Sequence, residues 1–508
     1  MPNVSEFQIG LDGKAYVEKD DGTNVVQDLT KITSDIESIF RASARAGKFN
    51  NSIDNLPWVK PATWVASTVY YQGQVVVGLD GVNTYICQTG GTSAGSGGPT
   101  GSGYAPITDG GVTWWWYNKV RGELPSSTVV VSSGLLSTLL TNLPNYRTLS
   151  PTVSNPVVSW LGGVVEANPN GGGMVDTRGP NNSLPTSDPT GANAAFNTAV
   201  SGKIAFLTDS RKIVLGSINA IYTNTSITVE INGRRVSDSC FTVTTFQNPG
   251  GIMIDTTSLD LPPGLFTVVI RSNAGFSIVA NKIYIESGAT ILPVKTNLKV
   301  AVEGDSLTQG GNNTPYHPGK DWVSQCFERL QIMNACNMAV GSTGFISDNG
   351  GAKTTTLQRL PRFASLNADI YIIAGNHNDD SYTSQQRQTA VLNYLKELRR
   401  LQPTSMIIVF GNTPLRDDGQ TVGTPQYIAE QDLKAAFDLF NDPNSKFVPI
   451  LTSPSGSWVS GTGNASSPAN NGNKDRFYTA GDGHPNQRGT DYFAIKYQEE
   501  LMNLFDSI

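Results

Sequence analysis

One serine, one histidine and a few polar partners hold the chemistry this chain could perform. They fall in four islands of the C-terminal part: GDSLTQ (304–309), NMAVGSTG (337–344), GNHND (375–379) and DGHPNQRG (482–489). A free hydroxyl such as that of Ser306 is a weak nucleophile at neutral pH and needs a neighbouring base to take its proton. The chain has 3 histidines, His317, His377 and His484, so few bases are available. His484 sits in a turn-forming stretch that opens the last helical segment. Ser306 and His484 are therefore the expected nucleophile and base of a serine hydrolase, provided the fold brings together residues far apart in sequence.

The elements around the islands support that geometry. Ser306 directly follows the apolar run Leu298–Val302, so it is predicted at the C-terminal end of a strand, where open α/β sheets place their ligands. From 297 onward the pattern is βαβ. Strands are expected at Leu298–Glu303, Ala335–Val340, Asp369–Ala374, Met406–Gly411 and Phe447–Leu451. The segment Ser384–Arg400 puts Val391, Tyr394, Leu395 and Leu398 on one helical face, and Tyr427–Leu439 and Arg488–Leu504 read as further amphipathic helices. Five apolar strands alternating with helices predict a parallel, doubly wound, flavodoxin-like sheet.

With the motifs in this order, residues 297–506, about 40% of the chain, resemble the SGNH (GDSL) hydrolase family. The resemblance implies a serine esterase that needs no cofactor or metal. It makes Ser306 the nucleophile, His484 the base and Asp482 the acid that orients the imidazole. It also implies an oxyanion hole built from the N–H of Ser306, a loop N–H from Gly341 or Ser342, and the side-chain amide of Asn378. His377, beside Asn378, is expected at the cleft, contacting substrate or bracing the loop. Two positions depart from the family pattern. The acid usually stands three residues before the histidine, where this chain has Gly481, leaving Asp482 or an acid such as Asp475 for the role, or a site that works without one. The glycine of Gly-x-Asn-Asp is Asn376 here. GNHND also looks like an island of the calcineurin-like metallophosphoesterases, but 3 histidines are too few to hold two metal ions.

A chain of 508 residues is too long for one core and predicts several domains. With 52 Gly, 28 Pro and 15% charged residues, short strands and turns should dominate ahead of the hydrolase domain. The net charge of −6 argues against nucleic acid or an acidic membrane surface as partner. The segment MPNVSEFQIG lacks the basic and apolar regions of a secretion signal, and no apolar run is long enough to span a membrane. The cysteines Cys87, Cys240, Cys326 and Cys336 lack metal-ligand spacing and are expected to be free, partly buried thiols.

The expected organisation is an N-terminal segment (1–50), a small aromatic domain (51–120), a linker (121–150), a β-sandwich (151–295) and the hydrolase domain (296–508). In the first, Val25, Leu29, Ile32, Ile36 and Ile39 form an a/d stripe that predicts a short helix, either an ordinary amphipathic one or one that trimerises. The aromatic domain carries Trp58, and then Trp64, Tyr70, Tyr71, Tyr85, Trp114, Trp115, Trp116 and Tyr117 in WVASTVYYQGQVVV, NTYICQTGGTSAG and DGGVTWWWY. With them it resembles the small chitin-binding-type carbohydrate module. Its rings are expected either to pack on sugar faces or to make the core of a domain this small. The strand pattern predicts an antiparallel sandwich with a hairpin at Asn232-Gly233, and the family resemblance implies that it is jelly-roll-like. This domain order is similar to that of phage tail fibres and tailspikes. The resemblance implies a virion protein, homotrimeric and in contact with other tail proteins, that deacetylates an acetylated surface polysaccharide. A bacterial esterase of small esters or other polysaccharides, and an inert receptor-binding protein, are the alternatives.

Overall fold

The computed structural model describes residues 4–9, 14–19, 24–28, 62–70, 75–81, 83–101, 106–119, 129–151, 157–162, 164–167, 173–176, 202–216, 226–231, 234–236, 241–242, 249–259, 264–272, 278–280, 282–294, 296, 298–310, 319–330, 332–351, 353–415, 422–454, 458–469, 471–478 and 483–506. The C-terminal domain is the doubly wound α/β unit its rhythm predicts. Its five strands are β1 (Lys299–Glu303), β2 (Asn334–Asn337), β3 (Ile370–Ala374), β4 (Met406–Phe410) and β5 (Ser445–Val448), all parallel, in the order β2-β1-β3-β4-β5. The order reverses beside β1, which places the switch point at the residues after Glu303.

Strand alternation divides the core in two. On one face Val300, Val302, Ile372 and Phe410 pack with Trp322, Phe327, Tyr497 and Leu501, which lie on or beside α2 (Trp322–Arg329) and α7 (Gln487–Asp506). On the other, Ala301, Tyr371, Ile373 and Val409 meet Leu360, Tyr394, Leu395 and Leu433 from α3 (Thr356–Ala364), α4 (Ser384–Leu401) and α5 (Pro425–Phe440). Side chains bordering a buried strand must alternate between these two layers, which is why each strand reads as a near-continuous apolar run. Helix starts follow local chemistry. Thr355 and Thr383 form capping boxes with Gln358 and Gln386, and Thr424 caps α5 ahead of Pro425.

Two antiparallel sheets precede this domain. One has the order 130–135, 250–255, 212–216, 282–286, 146–149; the other runs 159–161, 203–208, 266–272, 226–231, 234–235. Their inner faces share a core of Ile204, Phe206, Val229, Val268, Ile213, Ile254 and Ile285. The expected linker is corrected here: strands 130–135 and 146–149, with a helical turn at Leu136–Thr141, are edges of the first sheet. The arms of the Asn232-Gly233 hairpin pair with Ile231 opposite Arg234; the turn itself lies outside the described residues.

The small aromatic domain has a five-stranded sheet, 62–63, 75–77, 83–89, 112–119, 107–109. Trp64, Tyr70, Tyr85 and Trp114 are its core. Both indole N–H groups donate to one oxygen of the buried Asp109, at 2.7 Å from Trp64 and 2.9 Å from Trp114. These four rings are spent on folding a domain too small to be stable without them. At the N-terminus, strands 4–9, 14–19 and 24–28 form an antiparallel sheet. Val25, the first position of the heptad stripe, pairs with Val17 in that sheet rather than starting a helix, because paired β-branched residues favour extended backbone. The rest of the stripe lies outside the described residues.

The sandwich is joined to the hydrolase domain through buried charge. Arg271 pairs with Glu230 of its own sheet and with Glu328 on α2. Beside them, Lys203 is buried, and burial together with the neighbouring Arg271 holds its pKa down at about 8. Leu161, Ala205 and Val269 pack with Met333 next to β2, and the Gly162 N–H donates to Asn334 Oδ1 at 3.2 Å. Cys87, Cys326 and Cys336 are buried free thiols. Among the described residues no helix is long and apolar enough to cross a membrane.

Candidate active site

Ser306 opens a single helical turn, α1 (Ser306–Gln309), where β1 ends. The turn is held by Asp305. Its Oδ1 accepts the Leu307 N–H at 2.9 Å, and its Oδ2 accepts the His377 N–H at 3.0 Å. One buried carboxylate thus caps the nucleophile's turn and ties it to the loop after β3. From the far end of the chain, His484 places Nε2 2.7 Å from Ser306 Oγ. Its loop is fixed on both sides. Tyr478 and Pro485 form an antiparallel bridge, the Asn486 N–H donates to Phe477 O at 2.7 Å, and Asn486 Oδ1 accepts the Gly489 N–H at 3.0 Å at the start of α7.

The loop after β2 closes a second side. Asn337 anchors its base, donating to Thr308 O at 2.8 Å and Asp321 Oδ1 at 2.9 Å. Gly341 lies against the nucleophile: a Cβ there would stand 3.1 Å from Ser306 Cβ and 2.7 Å from Gln309 Oε1. The Gly341 N–H is committed to that same Gln309 Oε1 at 2.7 Å. This removes one of the two expected loop donors and leaves Ser342, which is exposed and holds φ at 61°. Asn378 Nδ2 donates to Thr343 O at 2.9 Å; a primary amide has a second hydrogen to give.

Asp379 stabilises this loop from below, accepting the N–H groups of Phe345 (2.7 Å), Ile346 (3.2 Å) and Ser347 (2.8 Å). Burial pushes its pKa up, and these N–H bonds offset part of that rise. Arg359 bonds Glu303 at the end of β1 (2.9 Å) and Thr343 Oγ1 (2.8 Å), while Tyr394 donates to the other Glu303 oxygen at 2.7 Å. Strand end and donor loop are therefore locked together by a buried charge pair.

Ser306, His484, Gly341, Ser342 and Asn378 thus gather at one place. Of the two expectations for His377, substrate contact and bracing the loop, the structure shows the second. Its Nε2–H donates to Thr413 O at 2.6 Å, which braces the loop, and its Nδ1 stands 3.6 Å from Asp380. Burial lowers its pKa, but the Asp380 and Asp305 carboxylates outweigh burial and leave it above the ordinary histidine value. Asp482 lies outside the described residues. The alternative acid Asp475 is buried in the first turn of α6 (Lys474–Phe477), packed against Gly463. Sequence reasoning missed Asp305, Gln309 and Lys353. Only the first had a signal, an aspartate at the junction of strand and helix; Gln309 bonds the Gly341 N–H and Lys353 the Gly341 carbonyl, contacts that no motif marks. Among the described residues no three His, Cys, Asp or Glu side chains converge as metal ligands would.

A nucleophile–base pair at the C-terminal edge of a parallel sheet, faced by a donor loop, is the arrangement of a serine esterase. Residues 302–492 match the model of the GDSL-like lipase/acylhydrolase family. Among solved structures, the chain is similar to a salicylyl-acyltransferase from a tetracycline biosynthetic pathway (14% identity, TM-score 0.47, covering 70% of this chain and 98% of that one). It is also similar to family two carbohydrate esterases from Cellvibrio japonicus (14%, 0.45, 71% and 99%) and from Clostridium thermocellum in complex with cellohexaose (15%, 0.47, 69% and 100%). No curated protein matches the chain in sequence.

Proposed function

We propose that the chain is an O-acetyl esterase that deacetylates a bacterial surface polysaccharide as a receptor-binding tail protein of a phage. The esterase chemistry is carried by one observation, the 2.7 Å approach of His484 Nε2 to Ser306 Oγ. Ser306 attacks the acetyl carbonyl while His484 takes its proton. The N–H groups of Ser306 and Ser342 and the free hydrogen of the Asn378 amide receive the developing oxyanion. Collapse breaks the bond to the sugar oxygen, which leaves as a hydroxyl with the proton from His484. Water, deprotonated by His484, then attacks the acetyl-serine, and acetate departs as Ser306 recovers its proton. Asp482 is assigned the orienting role at His484.

The polymeric substrate is supported by exposure and by domain order. Ser306, Asn378 and His484 are half-buried and Ser342 is exposed, so among the described residues the hydroxyl is within reach of an ester on a chain. A sandwich precedes the hydrolase domain and an aromatic domain precedes that. Three copies on one repetitive polymer would gain avidity, and light scattering at the mass of a trimer tests that arrangement. A small-ester substrate is the second reading, favoured by the burial of Trp64, Tyr70, Tyr85 and Trp114, which withdraws those rings from sugar binding.

The deciding experiment is acetate release from acetylated capsule or O-antigen. Wild type should release acetate and hydrolyse p-nitrophenyl acetate, and Ser306→Ala should do neither while melting at the same temperature. Hydrolysis of synthetic esters alone would favour the second reading. A folded wild type without turnover on either would sink the esterase assignment.

A further inference from the structure

We infer that Lys353 is a positioning residue for oxyanion stabilisation, acting through the Gly341–Ser342 peptide. The inference rests on the esterase reading above, in which the Ser342 N–H is the loop's donor. Lys353 Nζ donates to the Gly341 carbonyl oxygen at 2.6 Å. In a trans peptide the C=O and N–H point in opposite directions. A cation on the carbonyl side therefore draws electron density away from the Ser342 N–H and strengthens it as a donor, as in any hydrogen-bonded chain.

The placement suits that role. Gly341 is the residue packed against Ser306, so the polarised peptide borders the reacting atoms. Its neighbours leave it little freedom: Gln309 holds the Gly341 N–H, Asn378 holds Thr343 O, and Arg359 holds Thr343 Oγ1. Lys353 itself is half-buried, and burial, with Arg359 nearby, holds its pKa below the ordinary lysine range. A charge partly withdrawn from water acts on its neighbour more strongly than a fully exposed lysine would. Charge-assisted bonds are also about twice as strong as neutral ones. None of this needs Lys353 to touch substrate, so its effect belongs to the step in which negative charge appears.

Methionine keeps the apolar stem and removes the charge; arginine keeps the charge. In Lys353→Met, kcat for p-nitrophenyl acetate should fall about tenfold, a fraction of what deleting a whole oxyanion donor costs, with KM unchanged within about twofold. The rate at which a fluorophosphonate labels Ser306 should fall by the same factor, since that reaction also builds charge on an oxygen beside Ser306. Lys353→Arg should recover most of both rates. If Lys353→Met does not fold, Lys353→Gln, which retains a neutral donor, takes its place with the same expected losses. Wild-type kcat and labelling in the neutral variant, a loss confined to KM, or an arginine variant as slow as the neutral one would overturn the inference. Labelling needs no turnover. A wild type that is labelled but does not hydrolyse esters therefore overturns the esterase reading while Lys353 is still scored, and a wild type that resists labelling overturns both.

Discussion

At the scale of residues, the site depends on carboxylates that do no chemistry. Asp305 joins the Ser306 turn to the His377 backbone, and Asp379 gathers three N–H groups under the donor loop. His377 completes this scaffold and gives it a pH dependence. Its pKa is raised in the fold by Asp380 and Asp305 against the effect of burial. The fold therefore favours the imidazolium. That contribution is fully present below the unfolded value of about 6.5 and is lost as pH rises through the folded pKa. Urea unfolding from about pH 5 to 9 should show wild-type stability declining through this window more steeply than that of His377→Asn. Parallel curves would refute the assignment.

At the scale of elements, one loop and one strand end must approach without room for a side chain. Gly341 meets this need, with Ser306 Cβ 3.1 Å from where its Cβ would be. Gly341→Ala should push either Ser306 or Gln309 aside, and a nucleophile displaced by about 1 Å can cost about 100-fold. The expected result is a kcat loss of that order with far-ultraviolet circular dichroism unchanged. A variant at wild-type rate would show that the loop yields instead. Ser342 adds a second constraint, since a non-glycine residue at φ 61° costs on the order of 1 kcal/mol and persists only where its surroundings impose it.

At the scale of the whole molecule, the sandwich and the hydrolase domain meet through Arg271, Glu230 and Glu328, with Lys203 alongside. Removing the arginine would leave two buried carboxylates without their shared cation. Arg271→Met should therefore lower stability by about 3–5 kcal/mol, measured by chemical denaturation. A loss below about 1 kcal/mol, the value of an exposed pair, would mean the cluster is solvated and does not fasten the two domains.

The sequence by itself determined the periodicities and the identities of the reacting side chains. Apolar runs of five residues between amphipathic helices can bury themselves only as a parallel sheet with helices on both faces. The scarcity of histidine directed attention to His484, and turn residues after strand ends located the islands. The expected strands lie within a few residues of those observed, because hydrophobic period and capping are local. The tertiary structure alone decided which backbone N–H is already occupied: Gly341 and Ser342 are equivalent as letters, and Gln309 separates them by reaching across from another element. Likewise, the letters leave His377 to face the cleft or to brace the loop, and the Thr413 carbonyl, reached only in space, decides for the brace. The strands at 130–135 and 146–149 look like linker because edge strands need few apolar residues of their own and take their partners from far along the chain. Hydrogen-bond partners and strand neighbours are properties of distance in space, which sequence separation does not encode.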